Sequence, residues 1–128
     1  MSTVSRTISL VCVVDDEAVI TKSLSLILSR EGYRVVSFTN PLEALQHMRA
    51  HPPDLLISDV MMPQMSGVDL AIHTARTLPR CRILLFTAST EDVLRRARAD
   101  GHTFRLLHKP LHPSELLREI DGMNEDSP

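Results

Sequence analysis

Five short apolar runs alternate with five segments whose apolar residues recur every three or four positions. The runs are Ile8–Val14, Tyr33–Phe38, Leu55–Ile57, Ile83–Phe86 and Phe104–Leu107. Several are continuously apolar, as in parallel strands covered on both faces. Between them, Ile20, Leu24, Ile27 and Leu28 fall on one helical face, and Gly32 stops that helix. A second helix starts at Pro41 after Asn40, carries Leu42, Leu45 and Met48, and ends at Pro52–Pro53. The third aligns Val68, Ala71, Ile72, Ala75 and Leu78 before Pro79. The fourth is predicted from about Thr90 to Asp100, with Gly101 as its stop, and the fifth opens at Pro113–Ser114 with Leu116, Leu117 and Ile120 on one side. The polar residues from Asp121 onward predict a frayed tail. This alternation implies βαβ units, right-handed crossovers and a parallel α/β sheet, the kind of sheet that binds ligands beyond the carboxyl ends of its strands.

Composition narrows the picture. The 128 residues suit one domain with a real core, 43% hydrophobic and 23% charged, and the 3% of aromatics leave that core to aliphatic side chains. No apolar run approaches the ~18 residues of a membrane span, and Met1–Thr7 lacks the apolar stretch of a secretory signal. Cys12 and Cys81 do not form a disulfide framework, so a reducing cytoplasm is expected. A net charge of −2 argues against a dedicated nucleic-acid binder. Arg95, Arg96 and Arg98 lie among acidic residues at helical spacing (Glu91–Arg95, Asp92–Arg96, Arg96–Asp100), which predicts a solvated helix face.

The informative polar residues fall where the apolar runs end. Val11–Val14 leads into Asp15-Asp16-Glu17, and Leu55–Ile57 into Ser58-Asp59. Ile83–Phe86 ends in Thr87, and Phe104–Leu107 is followed by His108-Lys109-Pro110. One sheet edge would therefore gather three carboxylates, a hydroxyl and an ammonium. Crowded carboxylates repel one another unless a positive charge sits among them. Magnesium suits, because it prefers oxygen ligands and commonly bridges carboxylate to phosphate. Asp59 is then the candidate oxygen nucleophile on phosphorus, with Lys109 neutralising phosphoryl charge and Thr87 donating to a phosphoryl oxygen. Singly, Asp16 is as well explained as a helix cap and Lys109 as a surface lysine. Together the four strand ends carry one residue of each type that the chemistry needs.

These stretches resemble the receiver domains of two-component response regulators. The resemblance rests on Val13-Val14-Asp15-Asp16-Glu17, Asp59-Val60-Met61-Met62-Pro63-Gln64-Met65-Ser66-Gly67, Phe86-Thr87-Ala88 and His108-Lys109-Pro110, and spans about residues 8 to 122. It implies a doubly wound, flavodoxin-like (βα)5 fold with a five-stranded parallel sheet of order 2-1-3-4-5. It implies that Asp59 accepts phosphate from a histidine kinase or a histidine phosphotransfer protein. Magnesium would be held by Asp15, Asp16, Asp59 and the Met61 carbonyl. The amides of Met61 and Ala88 would cradle the phosphoryl group with Thr87 and Lys109, and the Lys109–Pro110 bond would be cis.

The domain is expected over residues 7–123, with 1–6 and 124–128 as flexible termini, either free-standing or excised from a longer protein. It would be a self-catalysing phosphoacceptor, not a conventional enzyme, acting on a downstream protein without touching nucleic acid or membrane. The candidate surface for pairing with a second copy is the face of the fourth helix, fifth strand and fifth helix. The alternative is an interaction module that signals without phosphate, against which the full set of site residues stands. One departure from the family pattern concerns the switch aromatic expected three residues before the lysine. That position is Leu106, with Phe104 two residues earlier, so the fifth strand is expected to change little on activation. The resemblance implies that Met61 and Ser89 border the route of the attacking water, and an apolar Met61 there predicts slow loss of phosphate. His47 and His51, at i,i+4, are expected to be exposed helix residues, and Met61, Met62 and Met65 to pack as a loop over the sheet edge.

Overall fold

A computed structural model describes residues 7–88, 91, 93, 95, 96, 101 and 104–125. In chain order these form β1 (Leu10–Val14), α1 (Ala18–Arg30), β2 (Arg34–Phe38), α2 (Pro41–Ala50), β3 (Leu55–Asp59), α3 (Gly67–Thr77), β4 (Arg82–Thr87), β5 (Arg105–His108) and α4 (Pro113–Glu125). The five strands make one parallel sheet in the order β2-β1-β3-β4-β5, as expected.

Successive residues of a strand point to opposite faces, so each strand feeds two cores. Val11, Val13, Ile57, Leu84 and Phe86 pack with Leu24 and Leu28 of α1 and Leu116 and Ile120 of α4. Cys12, Val14, Leu56 and Leu85 pack with Ala44 and Met48 of α2 and Leu70 and Ala71 of α3. The central β3 is buried at every position, whereas β2 and β5 at the edges are only half covered. Continuous apolar runs belong to the first kind of strand and interrupted ones to the second.

Local chemistry sets the helix ends. Gly32 has φ +94°, and the amides of Gly32 and Tyr33 close back onto Ser29 and Leu28, which ends α1. Asn40 caps α2 through Leu42 N at 2.9 Å, and Ser66 caps α3 through Asp69 N at 3.1 Å. Of the fourth predicted helix, Glu91, Val93, Arg95 and Arg96 are helical, and Gly101 has the left-handed φ (+78°) of a stop. The rest of that helix lies outside the described residues.

The expectation of a frayed end from Asp121 does not hold as far as Glu125, and residues 1–6 and 126–128, also expected to be flexible, lie outside the described residues. The last helix continues to Glu125, and Met123 and Asn124 are buried. Asn124 Oδ1 accepts from Ile8 N at 2.9 Å, and its amide donates to the Tyr33 hydroxyl at 3.0 Å. Arg82 donates to the Met123 carbonyl. A polar residue is retained here because it satisfies the backbone donor that leads into β1, which burial would otherwise leave without a partner. Among the described residues no helix is long and apolar enough to cross a membrane.

Candidate functional site

The parallel register brings the strand ends level. Val14 lies beside Ser58, Asp59 beside Phe86, and Thr87 beside His108. Asp15, Asp59, Thr87 and Lys109 therefore share the carboxyl edge of β1, β3, β4 and β5. Asp15 is 1% exposed and Asp59 3%, while Asp16 faces solvent.

Asp15, Asp16 and Asp59 each offer a carboxylate oxygen, and these oxygens lie within 4.8 Å of one another. Asp15 Oδ1 accepts from Glu17 N at 2.8 Å in the turn before α1, whose N-cap is Glu17 with no side-chain bond, so Asp16 does not cap that helix. Asp15 Oδ2 is buried and has no protein hydrogen-bond partner. Burial, reinforced by the charges of Asp59 and Asp16, pushes the Asp15 carboxyl up to about 6, against the pull of the Glu17 amide and Lys109. An orphaned carboxylate oxygen beside two further carboxylates is a donor set that fits a hard divalent cation. Asp59 Oδ1 accepts from Val60 N at 2.9 Å and meets Lys109 Nζ at 3.0 Å.

Thr87 is buried at the end of β4, and its carbonyl accepts from Lys109 N at 2.9 Å. The Lys109–Pro110 bond is cis. Ala88 is exposed. Met61 is 76% exposed beside the site, whereas Met62 and Met65 pack against the α2–α3 side, so only part of the methionine cluster covers the sheet edge. An apolar cavity of about 370 Å³ opens between Val60, Val68, Thr87 and Val93, with Arg96 at its rim. Ser89 lies outside the described residues.

Two further residues matter, to which the strand and helix pattern assigned no role. A Cβ on Gly67 would lie 2.0 Å from the Asp59 carbonyl oxygen, so only glycine lets α3 start against the Asp59 backbone. Ser58 donates its hydroxyl to the same carbonyl at 2.8 Å. Gly67 N also donates to the Val60 carbonyl at 2.8 Å. The signal for Gly67 was present as the last letter of the Asp59 stretch, without the reason for it.

Other expectations resolve differently. Arg96 reaches across to α3, with Nη2 2.5 Å from Asp69 Oδ1 and Nη1 donating to Ser66 Oγ at 3.1 Å. Asp92, Arg98 and Asp100, its expected company, lie outside the described residues. Leu106 and Phe104 are half-buried and both pack on the α2–α3 side, together with Val93 and Leu85. His51 is exposed, but His47 is half-buried, its ring 5.2 Å from that of Phe38 and 5.0 Å from that of His51. Burial pushes both thiols, Cys12 and Cys81, up to about 12, which leaves them inert at neutral pH.

Residues 11–121 match the response regulator receiver domain family. The chain belongs to that family. The receiver is 35% identical over 112 residues to the transcriptional regulatory protein PdtaR of Mycobacterium tuberculosis, covering 87% of this chain and 54% of PdtaR. It is 30% identical over 96 residues to the response regulator receiver protein CpdR of Brucella abortus, covering 75% of this chain and 80% of CpdR. The chain thus spans about half the length of PdtaR. The structure of chemotaxis protein CheY4 of Vibrio cholerae superposes with a TM-score of 0.80 at 29% identity, over 91% of this chain and 98% of that one. This receiver therefore takes its place in two-component signalling, where receiver domains are phosphoacceptors that work with histidine kinases or phosphotransfer proteins.

Proposed function

We propose that this receiver is a phosphorylation-controlled switch in which Asp59 takes a phosphoryl group from a phosphohistidine of a sensor kinase or phosphotransfer protein. The observation that carries the reading is the setting of Asp59, 3.0 Å from the Lys109 ammonium and clustered with Asp15 and Asp16. In the transfer an Asp59 oxygen forms a bond to phosphorus, the phosphorus–nitrogen bond of the donor breaks, and the histidine nitrogen leaves with the electron pair. Magnesium, held by Asp15, Asp16, Asp59 and the Met61 carbonyl, would supply positive charge for the transferring oxygens.

The chain's own residues do the rest by position and charge. Lys109 neutralises charge that grows on the phosphoryl oxygens. The Thr87 hydroxyl and the amides of Met61 and Ala88 donate to them. Val60 N steadies the carboxylate, and Gly67 and Ser58 hold the Asp59 backbone. The same groups serve hydrolysis of the acyl phosphate, so the domain turns itself off without being a conventional enzyme. Output passes to a downstream protein and not directly to nucleic acid, and the reading accords with a cytoplasmic protein. Pairing with a second copy would use the face of the fourth predicted helix, β5 and α4.

Incubation with acetyl phosphate and magnesium, followed by intact mass, tests the assignment. Wild type should gain one phosphoryl group that is labile to alkali, and Asp59→Asn none. Phosphate appearing on Asp59→Asn at the wild-type rate would overturn it.

A further inference from the structure

Lys109 reaches Asp59 from the open side of the site. Its side chain is about a third exposed, whereas that of Asp59 is buried. A flexible four-carbon stem samples many rotamers, so meeting a phosphoryl oxygen reliably requires something that narrows the choice. Besides Asp59 Oδ1, the ammonium has a second neighbour. It lies over the ring of Phe86, with Nζ 5.4 Å from the centroid. That is inside the ~6 Å within which the negative face of an aromatic ring attracts a cation.

The ring cannot move to follow the lysine. Phe86 is 1% exposed and packs into the layer between the sheet, α1 and α4. It also belongs to the site through its backbone, since its carbonyl accepts from Val60 N at 3.2 Å, next to the phosphoacceptor. A ring face draws the ammonium without using any of its three N–H donors. Those donors stay available for Asp59 before transfer and for phosphoryl oxygens during it. An aliphatic residue of similar size would fill the same core space and support the lysine stem, but it would offer no such field.

We propose that Phe86 is a positioning residue, whose ring face seats the Lys109 ammonium against the Asp59 carboxylate. The proposal rests on the reading of Asp59 as phosphoacceptor. Nothing in the strand pattern separates Phe86 from its apolar neighbours, because its burial is that of any core residue of β4.

The chain has two lysines, Lys22 and Lys109, and Lys22 is exposed on α1. Labelling at the lysine ε-carbon therefore gives two NMR signals, one of them an internal reference. The ring current of Phe86 should place the Lys109 ε-protons upfield of those of Lys22, and Phe86→Leu should bring them back. Phosphorylation of the full chain by acetyl phosphate with magnesium should slow about two- to fivefold in Phe86→Leu, as expected for a cation held over a ring at a partly exposed site. Pentafluorophenylalanine at position 86 keeps the ring but reverses its field, so it should slow the reaction at least as much while the thermal melt stays cooperative. Wild-type rates in both variants, or a Lys109 signal coincident with that of Lys22 in wild type, would overturn the proposal. A wild type that accepts no phosphoryl group while its Lys109 signal remains shifted would instead overturn the phosphoacceptor reading, and with it any role in transfer.

Discussion

Replacing Asp15 by asparagine should make the metal-free domain more stable at neutral pH. Asp15 is almost wholly buried, one of its oxygens has no hydrogen-bond partner, and two other carboxylates lie beside it. Its pKa rises from the ordinary 3.8 to about 6, which makes ionisation in the folded chain harder than in the unfolded one. At ~1.4 kcal/mol per pKa unit this is a cost of up to roughly 3 kcal/mol once the group is charged. The sign follows from proton uptake. Below about pH 4 the carboxyl is protonated folded and unfolded, and it costs nothing. Between about 4 and 6 the folded state binds more protons, so stability falls as pH rises, and above 6 the full cost remains. The substituted amide keeps an oxygen for the Glu17 N–H and never ionises. The advantage of Asp15→Asn should be near zero at pH 4 and reach its plateau by pH 7, where a chain of this size would melt as much as ~10 °C higher. Urea and thermal unfolding from pH 4 to 8, with divalent cations chelated, measure it. Excess magnesium should shrink or invert the difference by stabilising the wild type more than a variant that has lost one carboxylate. A variant no more stable than wild type at pH 7, or an advantage that does not change with pH, would refute the reasoning.

Three further outcomes are expected. Gly67→Ala should destabilise the domain by ~2 kcal/mol or more, because the added carbon meets backbone and not a yielding side chain, and the remaining folded protein should phosphorylate more slowly; urea unfolding and intact mass report the two. Met61→Asn should hasten loss of the acyl phosphate by setting a polar group at the mouth of the site in place of an exposed thioether, and an unchanged or slower decay would remove the shielding role of Met61. Beryllofluoride with magnesium should alter amide exchange at residues 60–67 and in the segment after Thr87, with little change at 104–107; strong protection centred on Leu106 or Phe104 would show that β5 carries the switch.

The parallel sheet was legible because a parallel strand announces itself locally, as an apolar run between helices of fixed period, whereas its order came from the resemblance to receiver domains. The gathering of polar residues at one sheet edge was legible for a related reason. Asp15, Asp59, Thr87 and Lys109 each stand at or just past the end of a strand, so topology alone brings them to one edge, and no side-chain geometry had to be known. What stayed hidden depends on residues far apart in the chain. Asn124 looked like part of a frayed tail because its partners, Ile8 and Tyr33, are remote in sequence. Arg96 had acidic neighbours at helical spacing, yet it reaches Asp69 on another helix. Gly67 owes its identity to a backbone approach that no spacing rule encodes.

The knot of hydrogen bonds around Asn124 fixes where the domain can be attached to anything else. Thr7 and Asn124, at opposite ends of the described chain, lie within 3.5 Å of each other, at the amino ends of the strands. Strands of five residues put about 15 Å or more between that place and the carboxyl edge where Asp59 sits. A reporter or a neighbouring domain joined at either end would be held on the far side of the sheet, leaving the edge that carries Asp15, Asp59 and Lys109 clear, as the proposed transfer requires. By the same geometry a short peptide could join the two ends and the chain be opened elsewhere, without changing which strands lie side by side.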